Sequence, residues 1–135
     1  MAVKNADVLI ALTGKPNSIT KEMVASMSSD AVVFALTNPE PDITLDEAKG
    51  AGARIFATGR SDFSNQVNNS LAFPALFRAV FDAKVKKITD EMKLAAAYAI
   101  ADFIPDDKLN DEYIIPKMTD TGVKEKIVAA VMEKI

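Results

Sequence analysis

Three short apolar runs, each stopped by a cluster of turn residues, constrain this chain more than anything else in it. They are Asp7-Val8-Leu9-Ile10-Ala11-Leu12, Ala31-Val32-Val33-Phe34-Ala35-Leu36 and Arg54-Ile55-Phe56-Ala57. Runs this short and this rich in β-branched and aromatic residues suit strands, and near-continuous apolarity suits a strand covered on both faces. The first stops at Thr13-Gly14-Lys15-Pro16-Asn17 and the second at Thr37-Asn38-Pro39-Glu40-Pro41. The prolines at the second exit remove ladder donors and hold that exit extended. Between the first two runs, Ser18 or Thr20 can cap a helix whose inner side carries Met23, Val24 and Met27. Between the second and third, Thr44 and Glu47 have the spacing of a capping box, and the helix ends near Gly50 and Gly52. Strand, helix, strand, helix, strand with short connections predicts α/β architecture: a three-stranded parallel βαβαβ sheet. In such sheets ligands bind where strands end at their carboxyl edge. The three exits are therefore expected to form the site.

The third exit is the unusual one. Thr58 to Pro74, TGRSDFSNQVNNSLAFP, has neither helix nor strand period, whereas most connections run to about 4–6 residues. It is dense in amide and guanidinium groups: Arg60, Asn65, Gln66, Asn68 and Asn69. Such groups orient a small polar ligand without reacting with it. Beyond it the chain reads as helical. Phe73, Leu76, Phe77, Val80 and Phe81 mark a buried helix face from Phe73 to about Ala83, with Pro74 in the first turn. Thr89 or Asp90 caps a second helix bearing Met92, Ala96, Ala99, Ile100 and Phe103, closed by Pro105-Asp106-Asp107. Lys108 to Thr121 is expected to be irregular. The final helix brings together Ile127, Val128, Val131 and Met132. With 135 residues there is room for a single domain, with the half-sheet over about 1–69 and a helical tail over about 70–135.

Charge and composition exclude several classes. A net charge of −3 leaves no footprint for nucleic acid. No apolar run reaches the roughly 20 residues that span a bilayer, so neither a membrane nor nucleic acid is expected as a partner. Cysteine and histidine are both absent, which removes thiolate chemistry, the commonest general base and the commonest metal ligand. The lack of cysteine and of a signal pattern is what a cytoplasmic protein would show.

The words FALTNPEP, ATGRSDFSNQVNNSLAFP, EMKLAAAYAIA and DEYIIP, in that order, resemble the malic enzymes in their bacterial form. Ser64 and Ala75 depart from the family's usual proline and glycine. The resemblance implies the second half of a Rossmann-type NAD(P)-binding domain followed by carboxyl-terminal helices. It implies an enzyme that oxidises malate with NAD or NADP and decarboxylates the product to pyruvate with a divalent metal, Mg or Mn. The glycine-rich dinucleotide fingerprint is absent, and the family's tyrosine acid, lysine base and metal ligands belong upstream. No catalytic residue and no metal ligand are therefore assigned to this chain, and the isolated chain is expected to be inactive. The resemblance assigns substrate contacts to Asn38, Asn69 and Asn68, and cofactor contacts to Thr13, Gly14, Asn38 and Asn69. The implied partners are the missing upstream portion, malate and pyruvate. A second copy is expected too, because the first strand lacks its family neighbour and leaves an apolar edge.

Other readings stand beside these. Asn38 before proline also suits a plain turn, and Asn68-Asn69 suits a helix cap. Arg60 suits an ion pair with Asp62, Lys15 a solvated position, Asp46-Glu47 and Asp106-Asp107 helix capping, and Tyr98 and Tyr113 packing. For the whole chain the alternatives are a non-catalytic nucleotide-binding or regulatory module on the same fold, or a fragment without a separate role.

Overall fold

The computed structural model describes residues 2–135. Its chain forms two compact units: residues up to Asn68 with Asn110–Tyr113, and Asn69–Leu109 with Ile114–Ile135.

The first unit is the parallel sheet. Strands β1 (Val8–Ala11), β2 (Val32–Ala35) and β3 (Ile55–Thr58) lie in the order β1-β2-β3. Val8 is in register with Val32, and Val32 with Ile55. Helix α1 (Lys21–Ala25) follows β1, and α2 (Leu45–Gly50) follows β2. Thr20, rather than Ser18, caps α1 by accepting from the Met23 N–H. At α2 the Glu47 N–H donates to the Thr44 hydroxyl, which donates back to the Glu47 carboxylate at 2.9 Å. Val24, Met27, Val33, Ile43, Ala48 and Phe56 make the core.

The expectation that β1 is covered on both faces is wrong. Val8, Ile10 and Leu12 are exposed, Leu12 by 70%, while Ala11 is buried and Leu9 packs against the core. Successive side chains of a strand point to opposite faces, and in this unit only one face of β1 is covered. β1 is also the edge of the sheet order, with β2 its sheet neighbour.

Thr58, at the end of β3, is 1% exposed and its hydroxyl has no hydrogen-bond partner among the described residues. A buried hydroxyl left unpaired costs free energy that an isosteric apolar group does not. Thr58→Val is therefore expected to stabilise the unit by about 1 kcal/mol, read as a rise in the urea midpoint at unchanged slope. A fall in that midpoint would count against this account.

The second unit is helical. A single 3-10 turn, Asn69–Leu71, leads into α3 (Phe73–Asp82), followed by α4 (Asp90–Ala101) and α5 (Val123–Met132). Helix α5 packs on both α3 and α4. The core is built around Leu76, Ala79, Val80, Ala96, Ile127 and Val131. Pro74 sits in the first turn of α3, and Thr89 caps α4 through the Met92 N–H.

Several readings of this half of the chain fail. Phe73, Phe77 and Phe81 are not core residues but lie exposed, Phe81 by 73%. They run down α3 ring on ring, with centroids 5.7 and 6.1 Å apart. Residues four apart drift slowly around a helix, so these rings form their own stripe beside the buried one. Ala75, Leu76, Ala79 and Val80 make the buried side of α3 instead. Small residues admit a neighbouring backbone that phenylalanine would hold off. Met132 is likewise exposed at the end of α5. Neither Asn68 nor Asn69 takes the N-cap position of α3, which falls on Ala72 without a side-chain bond, and Asp106-Asp107 lie in a turn.

Candidate functional site

All three strands of the first unit are parallel, so their carboxyl ends share one edge. Two polar networks form on that edge.

The first joins the exits of β1 and β2 through Asp42, which is 0% exposed. Its Oδ1 accepts from the Thr13 hydroxyl at 2.6 Å, the Thr13 N–H at 3.1 Å and the Thr37 hydroxyl at 2.8 Å. Its Oδ2 accepts from the Thr37 N–H at 3.0 Å. Ser18, the unused cap, also donates to Oδ1 at 3.2 Å. Burial alone would push this carboxyl up. The donors from Thr13 and Thr37 outweigh burial and hold it at about 2, well below its ordinary 3.8. The Gly14 N–H donates to the Thr37 hydroxyl at 3.1 Å, and Gly14 turns the chain at φ +70°, where a side chain would be strained.

The second network is the loop after β3. Asn65 is buried at φ +55°, and its amide donates to the carbonyls of Phe56 at 3.1 Å and Asp111 at 2.8 Å. The loop rests back on its strand: the Val67 N–H donates to Thr58 O at 2.8 Å. Asp111 itself pairs with Arg54, and Glu112 accepts from Ser64 and pairs with Lys49. Arg60 and Asp62 form a two-pronged ion pair at 2.9 and 2.6 Å, which holds the guanidinium above and the carboxyl below their ordinary ranges. That guanidinium also lies 5.1 Å from the Phe63 ring.

Between the exits of β2 and β3 lies an open cleft of about 540 Å³ lined by Asn38, Gly59, Arg60, Gln66 and Asn68, among others. The peptide bond before Pro39 is cis. Gly59 is buried beneath the Asn38 amide. Its carbonyl accepts from Asn68 Nδ2 at 3.2 Å and Gln66 Nε2 at 3.4 Å. The charged side chains lining the cleft, Arg60 and Asp62, are spent on each other. What remains is the Ser61 hydroxyl and the amides of Asn38, Gln66 and Asn68, and an amide donates to a carboxylate and accepts from a hydroxyl.

The structure thus brings Asn38 and Asn68 to one cleft. Thr13 and Gly14 lie in the Asp42 network, where their backbone N–H groups are already bonded to Asp42 and Thr37. Asn69 opens the 3-10 turn of the second unit and is exposed. Sequence reasoning missed Asp42, Gly59 and the closing role of Asn65. A glycine directly after a strand, and an aspartate before a capping threonine, were the only local signals.

Among the described residues no helix is long and apolar enough to cross a membrane. Residues 1–135 match the family described as malic enzyme, NAD binding domain. The chain is 45% identical over 129 residues to the bifunctional malic/malolactic enzyme of Bacillus subtilis (strain 168), covering 96% of this chain and 31% of that protein. It is 44% identical over 131 residues to the NAD-dependent malic enzyme of Geobacillus stearothermophilus, covering 97% of this chain and 27% of that one. The crystal structure of malic enzyme from Pyrococcus horikoshii Ot3 superposes at a TM-score of 0.89 with 46% identity, over 98% of this chain and 30% of that chain. The chain spans about a third or less of the length of these proteins. A half-sheet with amide-bearing exits, matched from end to end by that domain and by these relatives, belongs to the malic enzyme NAD-binding family.

Proposed function

We propose that this chain is the carboxyl-terminal segment of a malic enzyme, which oxidises and decarboxylates malate to pyruvate with NAD or NADP. Its contribution is to bind and orient. The observation that carries the reading is the cleft where Asn38 and Asn68 meet over Gly59 at the carboxyl edge of the sheet. Amides there suit the carboxylates and hydroxyl of a small dicarboxylic acid without competing for its protons. Asn69, at the start of the 3-10 turn, is proposed as a further substrate contact. Asn38, Asn69 and the Thr13-Gly14 backbone are proposed to line the path of the dinucleotide. When bound, the dinucleotide supplies the two-electron oxidant for the malate hydroxyl carbon.

Among the described residues no three carboxylates converge. The residues present therefore do not fit the divalent Mg or Mn centre, whose ligands we place, with the acid and base, on the upstream portion. We also propose a cytoplasmic homo-oligomer, consistent with the absence of cysteine and with the apolar edge strand β1.

The test is complementation. The pure chain is expected to show no malate-dependent reduction of NAD or NADP, and mixing it with the separately expressed upstream portion is expected to restore that reduction. Turnover by the chain alone would overturn the division of labour. Sedimentation of the chain as a clean monomer at high concentration would overturn the self-association.

A further inference from the structure

We propose that Gly59 is the positioning residue of the amide cleft: its missing side chain seats Asn38, and its carbonyl orients Asn68 and Gln66. The inference rests on the functional reading above only for its consequence for ligands; its geometric content stands alone.

Glycine at this position has no conformational purpose. Gly14, Gly52 and Gly122 adopt positive φ, whereas Gly59 does not. Its φ lies outside the left-handed range that L residues avoid. What it lacks is space. A Cβ at Gly59 would lie 2.6 Å from Asn38 Nδ2, 3.2 Å from Oδ1 and 3.3 Å from Cγ. No carbon and amide nitrogen pack at the first of those distances. The whole terminal amide of Asn38 therefore occupies the volume a side chain would take.

The same residue acts a second time through its carbonyl. Asn68 Nδ2 and Gln66 Nε2 both donate to it, at 3.2 and 3.4 Å. A donated N–H₂ settles which way round each amide lies and so where its oxygen can point. One peptide unit, buried at the end of β3, thus governs three amides drawn from two strand exits. The obstruction to a larger residue is the far end of one exposed side chain, not backbone. Alanine at 59 is then expected to be absorbed by rotation of Asn38, leaving the sheet as it is. A residue whose enlargement disturbs the ligand-facing amide and spares the fold is a positioning residue rather than a packing one.

The experiment uses the ¹⁵N-labelled 135-residue chain, with Gly50→Ala as control because a Cβ at Gly50 meets nothing within 4 Å. In Gly59→Ala the Asn38 side-chain amide resonances are expected to move and to lose their cross-relaxation to residue 59. The melting temperature is expected to stay within about 4 °C, the shift that roughly 1 kcal/mol produces in a small domain. Pyruvate, as probe, is expected to shift the wild-type and Gly50→Ala amides of the cleft and to bind Gly59→Ala about tenfold more weakly, the worth of one hydrogen bond.

Unchanged Asn38 amide resonances in Gly59→Ala would overturn the inference. Should Gly59→Ala be strongly destabilised, the double variant Gly59→Ala/Asn38→Ala decides: recovery of stability upholds the Asn38 collision, and no recovery overturns it. If Asn38 moves as expected but pyruvate perturbs none of the three folded proteins, the positioning stands and the functional reading fails. If pyruvate binds wild type and Gly59→Ala alike with Asn38 undisturbed, the positioning fails and the functional reading stands.

Discussion

Asp42→Ala is expected to lower the stability of the strand unit by about 3 kcal/mol, the cost of stranding the two buried Thr37 donors and of losing the tie to Thr13. The carboxylate receives the N–H and hydroxyl of Thr13 and the N–H and hydroxyl of Thr37, at distances from 2.6 to 3.1 Å. Truncation leaves the buried Thr37 donors facing a void, while the exposed Thr13 hydroxyl keeps the Lys15 carbonyl and the Ser18 hydroxyl as partners. Asp42→Asn keeps the shape but turns one acceptor into a donor among donors, and about 2 kcal/mol should still be lost. The consequence reaches the cleft, because Thr37 precedes Asn38 and Thr13 precedes Gly14.

The acid dependence has a definite sign. Burial raises the Asp42 pKa, but the hydrogen bonds outweigh it and hold the folded value at about 2 against an ordinary 3.8. A carboxyl whose pKa is lower in the folded state stabilises at pH above its unfolded value. That contribution, about 2 kcal/mol by linkage, is present above roughly pH 4 and is lost as pH falls through about 2. Hydrogen exchange at the buried Val33 and Ala35 amides, compared between wild type and Asp42→Asn, checks this. The gap between the two proteins should narrow below pH 4; a gap that stays constant down to pH 2 would remove Asp42 as its source.

In the helical unit, Ile127→Ala is expected to cost about 4 kcal/mol, within the usual 2–5 for a buried isoleucine. Ile127 is 0% exposed and sits in one cluster with Ala79, Ala96 and Ala99. The same cluster holds Leu76, Val80, Met92 and Val131, whose side chains can fill only part of the cavity left behind. A total stability of 5–15 kcal/mol is typical of a domain, so this one change should leave the unit close to unfolding. Phe81→Ala removes a larger apolar side chain, yet one that is 73% exposed. It should change stability by less than about 0.5 kcal/mol. Urea unfolding followed by helical circular dichroism compares the two directly, and similar costs would contradict the placement of the core.

Several features were readable from local chemistry alone. Thr20, Thr44 and Thr89 cap the helices they precede because an N-cap bond spans only three residues. Strands β1 and β2 fall inside the predicted apolar runs, trimmed at both ends, while β3 starts one residue later than its run and takes in Thr58, the first residue assigned to the loop. The pairing of Arg60 with Asp62 joins residues two apart and was open to the same reasoning. The phenylalanines of α3 were misread, since helical periodicity finds an apolar stripe without telling which apolar stripe meets a neighbour. Asn110–Tyr113 returns to the sheet unit, with Asp111 taking Asn65 across 46 positions of sequence, and nothing local foretells it.

By itself, then, the sequence determined the alternation of strand and helix, the helix starts and the residue types at the three exits, all properties of neighbours within a turn or a pleat. Tertiary structure decided which of those exits meet. Parallel register carried Thr13 to Asp42, 29 residues away. It also set Asn38 over Gly59, where a Cβ would stand only 2.6 Å from the Asn38 amide nitrogen.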